Sequence, residues 1–156
     1  MNRMVGMWRE GRLFIRDALH SVSTGTSFAV AVDPGAPGGL RFGDTFDLDA
    51  EAVADPERFT SIDVTGSHPL PDGGALRWGE GSHGSEGFAA RVASDGDPVW
   101  ILHLEESNPF VRVFVTGDEA TFESSSGVRV TPGIDAPGLP GPPPMTADDR
   151  RHRAGE

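Results

Sequence analysis

Five histidines, His20, His68, His83, His103 and His152, are the side chains of this sequence that exchange protons near neutral pH. No two of them stand two residues apart and none belongs to an H-E-x-x-H array, so spacing alone assembles no metal site. The densest chemistry lies in 79–87, which holds four glycines, Ser82, Ser85, His83, Glu80 and Glu86. A small hydrolase would draw its acid–base pair from His83 and Glu86. His103 and Glu105 offer a second pair, because residues two apart on a strand share a face. Neither Ser82 nor Ser85 sits in the G-x-S-x-G elbow that presents a nucleophile. The plainer reading makes 79–87 a glycine-rich bend between strands and His103 a half-exposed surface residue.

Two further sets are candidates for contact rather than catalysis. Asp44, Asp47, Asp49 and Glu51 form an acidic cluster, but a calcium loop needs a glycine at its sharp turn and a terminal bidentate glutamate. The spacing gives neither. No metal is expected, and the cluster reads as a surface for a basic protein. Phe110 and Phe114 fall on one face of a strand whose other face carries Val111, Val113 and Val115. Such a strand is either covered on both sides or offers Phe110 and Phe114 to a partner.

Composition removes other chemistries. The chain has no Cys and no Tyr, and all 13 of its basic residues are Arg. Thiol and phenol chemistry, lysine Schiff bases and the Walker phosphate loop are therefore excluded. No cofactor motif is present and no cofactor is expected. The formal net charge is −11, which repels nucleic acid and anionic membranes and steers toward basic proteins. No apolar run approaches the roughly 18–20 residues of a membrane span. The start of the chain, with Asn2, Arg3, Trp8 and Arg9, lacks the apolar core of a secretory signal, so a cytoplasmic location is expected.

The elements that must position these residues are strands. Phe28, Val30 and Val32 alternate with smaller residues, and Leu40, Phe42 and Phe46 fit two short strands bent at Gly43-Asp44. A short strand over 61–64 precedes a loop over 65–74. From Gly87 onward five strands, near 87–92, 99–105, 110–116, 120–124 and 128–131, are separated by short turns and predict an antiparallel meander. Gly117-Asp118 suits a two-residue hairpin. The only helical pattern lies at 49–55, with Asp49 as its cap and Asp55-Pro56 as its stop. The expected fold is all-β, a sandwich or a rolled, partly closed sheet, with a single β-rich domain over 1–134. The proline-rich and charged 135–156 reads as a disordered tail.

Gly79 through Arg91, Asp95-Gly-Asp-Pro-Val-Trp100, Val115-Thr-Gly-Asp118 and Ser124-Ser-Ser-Gly-Val128 together resemble one blade of a bacterial quinoprotein-type β-propeller. The resemblance occurs once and implies four-stranded antiparallel packing, with no cofactor site carried over. Two functions follow. The first is a small acidic protein-binding module, of the kind that inhibits or neutralises a basic partner. The alternative is a hydrolase or ligand-binding barrel built on His83, Glu86, His103 and Glu105.

Overall fold

Period-two alternation of large apolar residues dictates most of the chain, and the strands it predicts are present. The computed structural model describes residues 3–135, so the expected tail lies outside the described residues apart from Asp135. In chain order the elements are α1 (Arg3–Arg9), β1 (Arg12–Phe14), β2 (Ala18–Ser21), β3 (Thr26–Val32), β4 (Leu40–Phe46), α2 (Leu48–Ala54) and β5 (Phe59–Pro69). They continue with β6 (Ala75–Gly81), β7 (Gly87–Val92), β8 (Pro98–Leu104), β9 (Phe110–Thr116), β10 (Glu119–Ser124) and β11 (Arg129–Val130). All strand pairs are antiparallel, and the fold is all-β apart from the two short helices and a 3-10 turn. No helix among the described residues is long and apolar enough to cross a membrane.

Eight strands form one sheet in the order β1-β5-β6-β7-β8-β2-β3-β4, and three form a second, β11-β10-β9. The large sheet is strongly curled. Residues 15–17 alone join β1 to β2, yet these strands are first and sixth in the sheet. Such a link reaches about 14 Å, whereas five strand spacings in a flat sheet would be about 24 Å. Curling gives the sheet two separate cores. Its convex face carries Leu19, Leu76, Trp78, Trp100, Leu102 and Leu104, which pack against Phe110, Ala120, Phe122 and Val130 of the small sheet. Its concave face carries Leu13, Phe14, Phe88, Ala90 and Ile101, closed over by Met4, Met7 and Trp8 of α1 and Leu48 and Ala52 of α2. The result is a sandwich on one side of the sheet and a roll on the other.

Several expectations need correction. The five C-terminal strands exist but form no single meander, nor the four-stranded unit implied by the propeller resemblance. The chain leaves the large sheet after β8, at a loop where Asn108 adopts φ 65 before Pro109, and β9–β11 build the second sheet. The Asn-Pro pair turns the strand out of plane, because proline cannot donate to a ladder. Two helices stand where one was expected. α1 was hidden by its glycine, Gly6, although Met4, Met7 and Trp8 have helical spacing. α2 begins at Leu48, and its cap is Asp47 rather than Asp49, accepting from the Ala50 N–H at 3.1 Å. Leu40–Phe46 is one strand, and the bend at Gly43-Asp44 is a bulge opposite Ala29. The first half of the expected loop over 65–74 is the end of β5, with Thr65 bulged out of register, and the turn is confined to 70–74. Its partner β6 was missed because glycines interrupt it. Gly66 of β5 admits a neighbour from β6: a methyl group there would lie 2.1 Å from the Trp78 ring. The Gly117 hairpin is as expected, with φ 63.

Candidate functional site

Glu86 ends the turn between β6 and β7, on the concave side of the sheet. Gly81, at the end of β6, has no side chain, and this is what lets the carboxylate lie against the strand. A methyl group there would stand 2.3 Å from Glu86 Oε2 and 3.0 Å from Thr60 Oγ1. Four donors converge on the carboxylate. His103 Nε2 is 3.1 Å from Oε1, and Oε2 receives Thr60 Oγ1 at 2.9 Å, the His83 N–H at 3.1 Å and His83 Nδ1 at 3.0 Å. Three of the four fall on Oε2, and His103 is the one that reaches Oε1.

The two imidazoles differ in setting. His103 is fully buried, and its Nδ1 donates to the Arg16 carbonyl at 2.9 Å. Both of its ring nitrogens therefore face acceptors, the Arg16 carbonyl and the Glu86 carboxylate. Burial alone would push the Glu86 carboxyl up. The hydrogen bonds from His103, the His83 backbone, Thr60 and the His83 ring outweigh it and bring the group down to about 2. The His83 side chain is 60% exposed. A third imidazole, His20 on β2, is buried with Nδ1 2.8 Å from Ser27 Oγ, while Nε2 has no partner. Burial first, then the neighbouring charges of His103 and Arg16, lowers His20 to about 3, so it stays neutral.

The structure thus brings together three of the four residues proposed for catalysis. His83, Glu86 and His103 meet; Glu105 does not. It lies beyond the end of β8, with a carboxylate oxygen 3.8 Å from Arg58. The expectation of a half-exposed His103 is wrong, because Ala18 of β2 and Phe88 of β7 flank it in the sheet. The cluster has the base and orienting carboxylate of a hydrolytic site. It lacks a nucleophile in position. Ser82 Oγ pairs with Thr60 Oγ1 at 2.9 Å, and Ser85 Oγ donates to the Glu105 carbonyl at 3.1 Å. Thr60 and the Arg16 carbonyl escaped sequence reading because both come from distant segments that carry no motif. Four surface clefts of about 190–570 Å³ among the described residues are lined by residues other than Thr60, His83, Glu86 and His103.

The acidic cluster does not gather either. Asp47 caps α2, Asp49 pairs with Arg3 at 2.7 Å, Glu51 pairs with Arg16, and Asp44 is exposed on β4. Among the described residues no group of three or more His, Asp or Glu is placed to hold a metal. Phe110 and Phe114 point to opposite sides of β9. Val111 is bulged, since Ser124 pairs with Phe110 and Glu123 with Arg112, and the extra residue flips the alternation. Phe110 is therefore buried in the inter-sheet core, while Phe114 is 46% exposed beneath the Arg129 guanidinium.

Nine of the ten arginines in 3–135 form ion pairs with carboxylates of the same chain. These residues also carry the whole net charge, because Asp148, Asp149 and Glu156 balance Arg150, Arg151 and Arg153 in the remainder. The surplus is held at some cost: Asp63 of β5 stands directly opposite Glu80 of β6, a like-charge pair that opposes strand pairing. No protein-family model, curated protein or solved structure matches the chain.

Proposed function

We propose that this chain is a non-catalytic binding module for a positively charged protein, acting as a small acidic inhibitor does. The observation that carries the reading is the internal pairing of the arginines, which leaves a net charge of −11 to the carboxylates. Opposite charge speeds association with a basic partner and makes it sensitive to salt. The setting of Glu86 supports the same reading. Its hydrogen bonds hold the turn over 82–86, and the nearby hydroxyls of Ser82 and Ser85 are bonded to Thr60 and the Glu105 carbonyl. The His83–Glu86 pair favours a hydrolase as the second reading, because an exposed imidazole on a buried carboxylate has the form of an oriented base.

One comparison separates the two. The combined change Asp44→Arg, Asp63→Arg and Glu80→Arg is expected to abolish salt-sensitive binding to basic proteins immobilised from the producing cell, while His83→Ala leaves it intact. Binding that survives the charge reversal, together with an esterase or amidase activity lost in His83→Ala, would replace the binding module with the hydrolase.

A further inference from the structure

A cleft of about 570 Å³ opens where the two sheets part, within the roughly 300–1,000 Å³ range of ligand pockets. One wall is the end of β5 and its turn, with Pro69, Leu70 and Pro71. The opposite wall is the β9–β10 hairpin, with Val115 and Asp118, and Arg91 of β7 lies with Ile134 and Asp135 between them. Arg91 ties the walls together. Its Nη2 donates to Asp72 at 2.6 Å, and its Nη1 bonds Asp135 and the Ile134 carbonyl, the latter at 3.1 Å. That carbonyl also accepts from Trp100 Nε1 at 2.9 Å, so the base of the cleft is anchored in the core.

The charge balance selects the occupant. Arg91 is matched by Asp72 and Asp135, and Asp118 adds a further carboxylate, so three carboxylates stand against one arginine in a lining that also holds His68. The walls are apolar. Pro69 and Pro71 have no N–H, so this wall cannot add a strand through backbone pairing. What fits is a chain segment that seeks no ladder bonds, buries apolar rings and presents a cation beside them.

We infer that this cleft is the docking site for an extended peptide segment of the partner in which proline or another apolar residue adjoins arginine. The inference rests on the binding-module reading and adds to it a place and a ligand chemistry.

The test titrates the full chain with three labelled peptides, an alternating proline–arginine octapeptide, its proline–glutamate counterpart and its glycine–arginine counterpart, read by fluorescence anisotropy. The proline–arginine peptide is expected to bind at least tenfold more tightly than the other two. Val115→Thr, which keeps the side-chain shape, and Asp118→Arg, on an exposed turn, should each weaken it at least fivefold while the thermal midpoint stays within a few degrees. Equal binding of the two arginine peptides, unaffected by either variant, would overturn the cleft and leave the binding module standing. No binding of any basic peptide would overturn both. Binding only by a chain ended at Asp135 would make the protein's own C-terminal segment the occupant. Concentration-dependent dimers abolished by Asp118→Arg would make it a second copy. Either result overturns the partner peptide.

Discussion

His103 Nε2 stands 3.1 Å from Glu86 Oε1 in the interior of the rolled sheet, and neither side chain is more than 3% exposed. Removing one member of a buried hydrogen-bonded pair strands the other without compensation. Glu86→Gln and His103→Leu are each expected to destabilise the fold by about 3 kcal/mol, measured by urea denaturation. The double change Glu86→Leu with His103→Leu should cost less than the sum of the two. Additive losses would mean that the two residues are not coupled.

Acid should act in two windows. His20 is about 3 in the folded chain against 6.5 as its ordinary value, so the unfolded chain takes up its proton first. Stability from this group is full above about pH 6.5 and is lost as pH falls toward 3. Glu86 is about 2 against 4.5, so its contribution is full above about pH 4.5 and is lost toward pH 2. Each window has a limiting slope of about 1.4 kcal/mol per pH unit. His20→Phe should flatten the upper window and Glu86→Gln the lower, in denaturation series across pH. A wild-type stability that does not change from pH 7 to pH 4 would contradict the first assignment.

Glycine substitutions should separate close approach from free space. A methyl group on Gly66 meets the Trp78 ring, whereas one on Gly84 meets nothing within 4 Å, although φ there is +79. Gly66→Ala is expected to lower the thermal midpoint more than Gly84→Ala and to shift tryptophan emission, because Trp78 must move. Similar midpoints for the two would show that the Trp78 ring is not seated on Gly66.

The two phenylalanines of the small sheet make a sharper contrast. Phe122 is fully buried and meets Trp78, Trp100 and Phe110 edge-on at 6.2 Å between ring centres. Phe122→Ala should cost about 3–5 kcal/mol. Phe114→Ala, on the open side of β9, should stay within about 1 kcal/mol of wild type, measured by the same denaturation.

Asp63 tests stability and binding in opposite directions. Replacing it by Lys turns the cross-strand repulsion with Glu80 into attraction and should stabilise the fold by roughly 0.5 kcal/mol. The same change should slow association with a basic partner, an effect that added salt diminishes. A gain in stability with unchanged association would remove this edge from the contact surface.

What the sequence made legible was local. Alternation located β3, β7, β8, β9 and β10, and Asp95-Gly96 and Gly117-Asp118 located the β7–β8 and β9–β10 turns. It did not disclose that β9 leaves the plane of β8, because an Asn-Pro turn looks alike whether the chain returns to the same sheet or crosses to another. His83 and Glu86 were identifiable from their crowded, glycine-rich context. Their union with His103 was not, since it depends on β7 pairing with β8 in a register that sets Phe88 beside His103. The inward turn of Phe110 was hidden by one extra residue, Val111, whose bulge inverts a pattern that strict alternation reads the other way.

The short tie over 15–17 also orders events in time. Leu13 pairs with Thr60 and Leu19 with Leu102, so β1 waits for β5, and β2 has no full set of neighbours until the chain has been synthesised past Leu104. A protein that emerges N-terminus first must keep its opening segment waiting. The capture of that segment by β8 is therefore a long-range closure, and it sets a slow pace for folding.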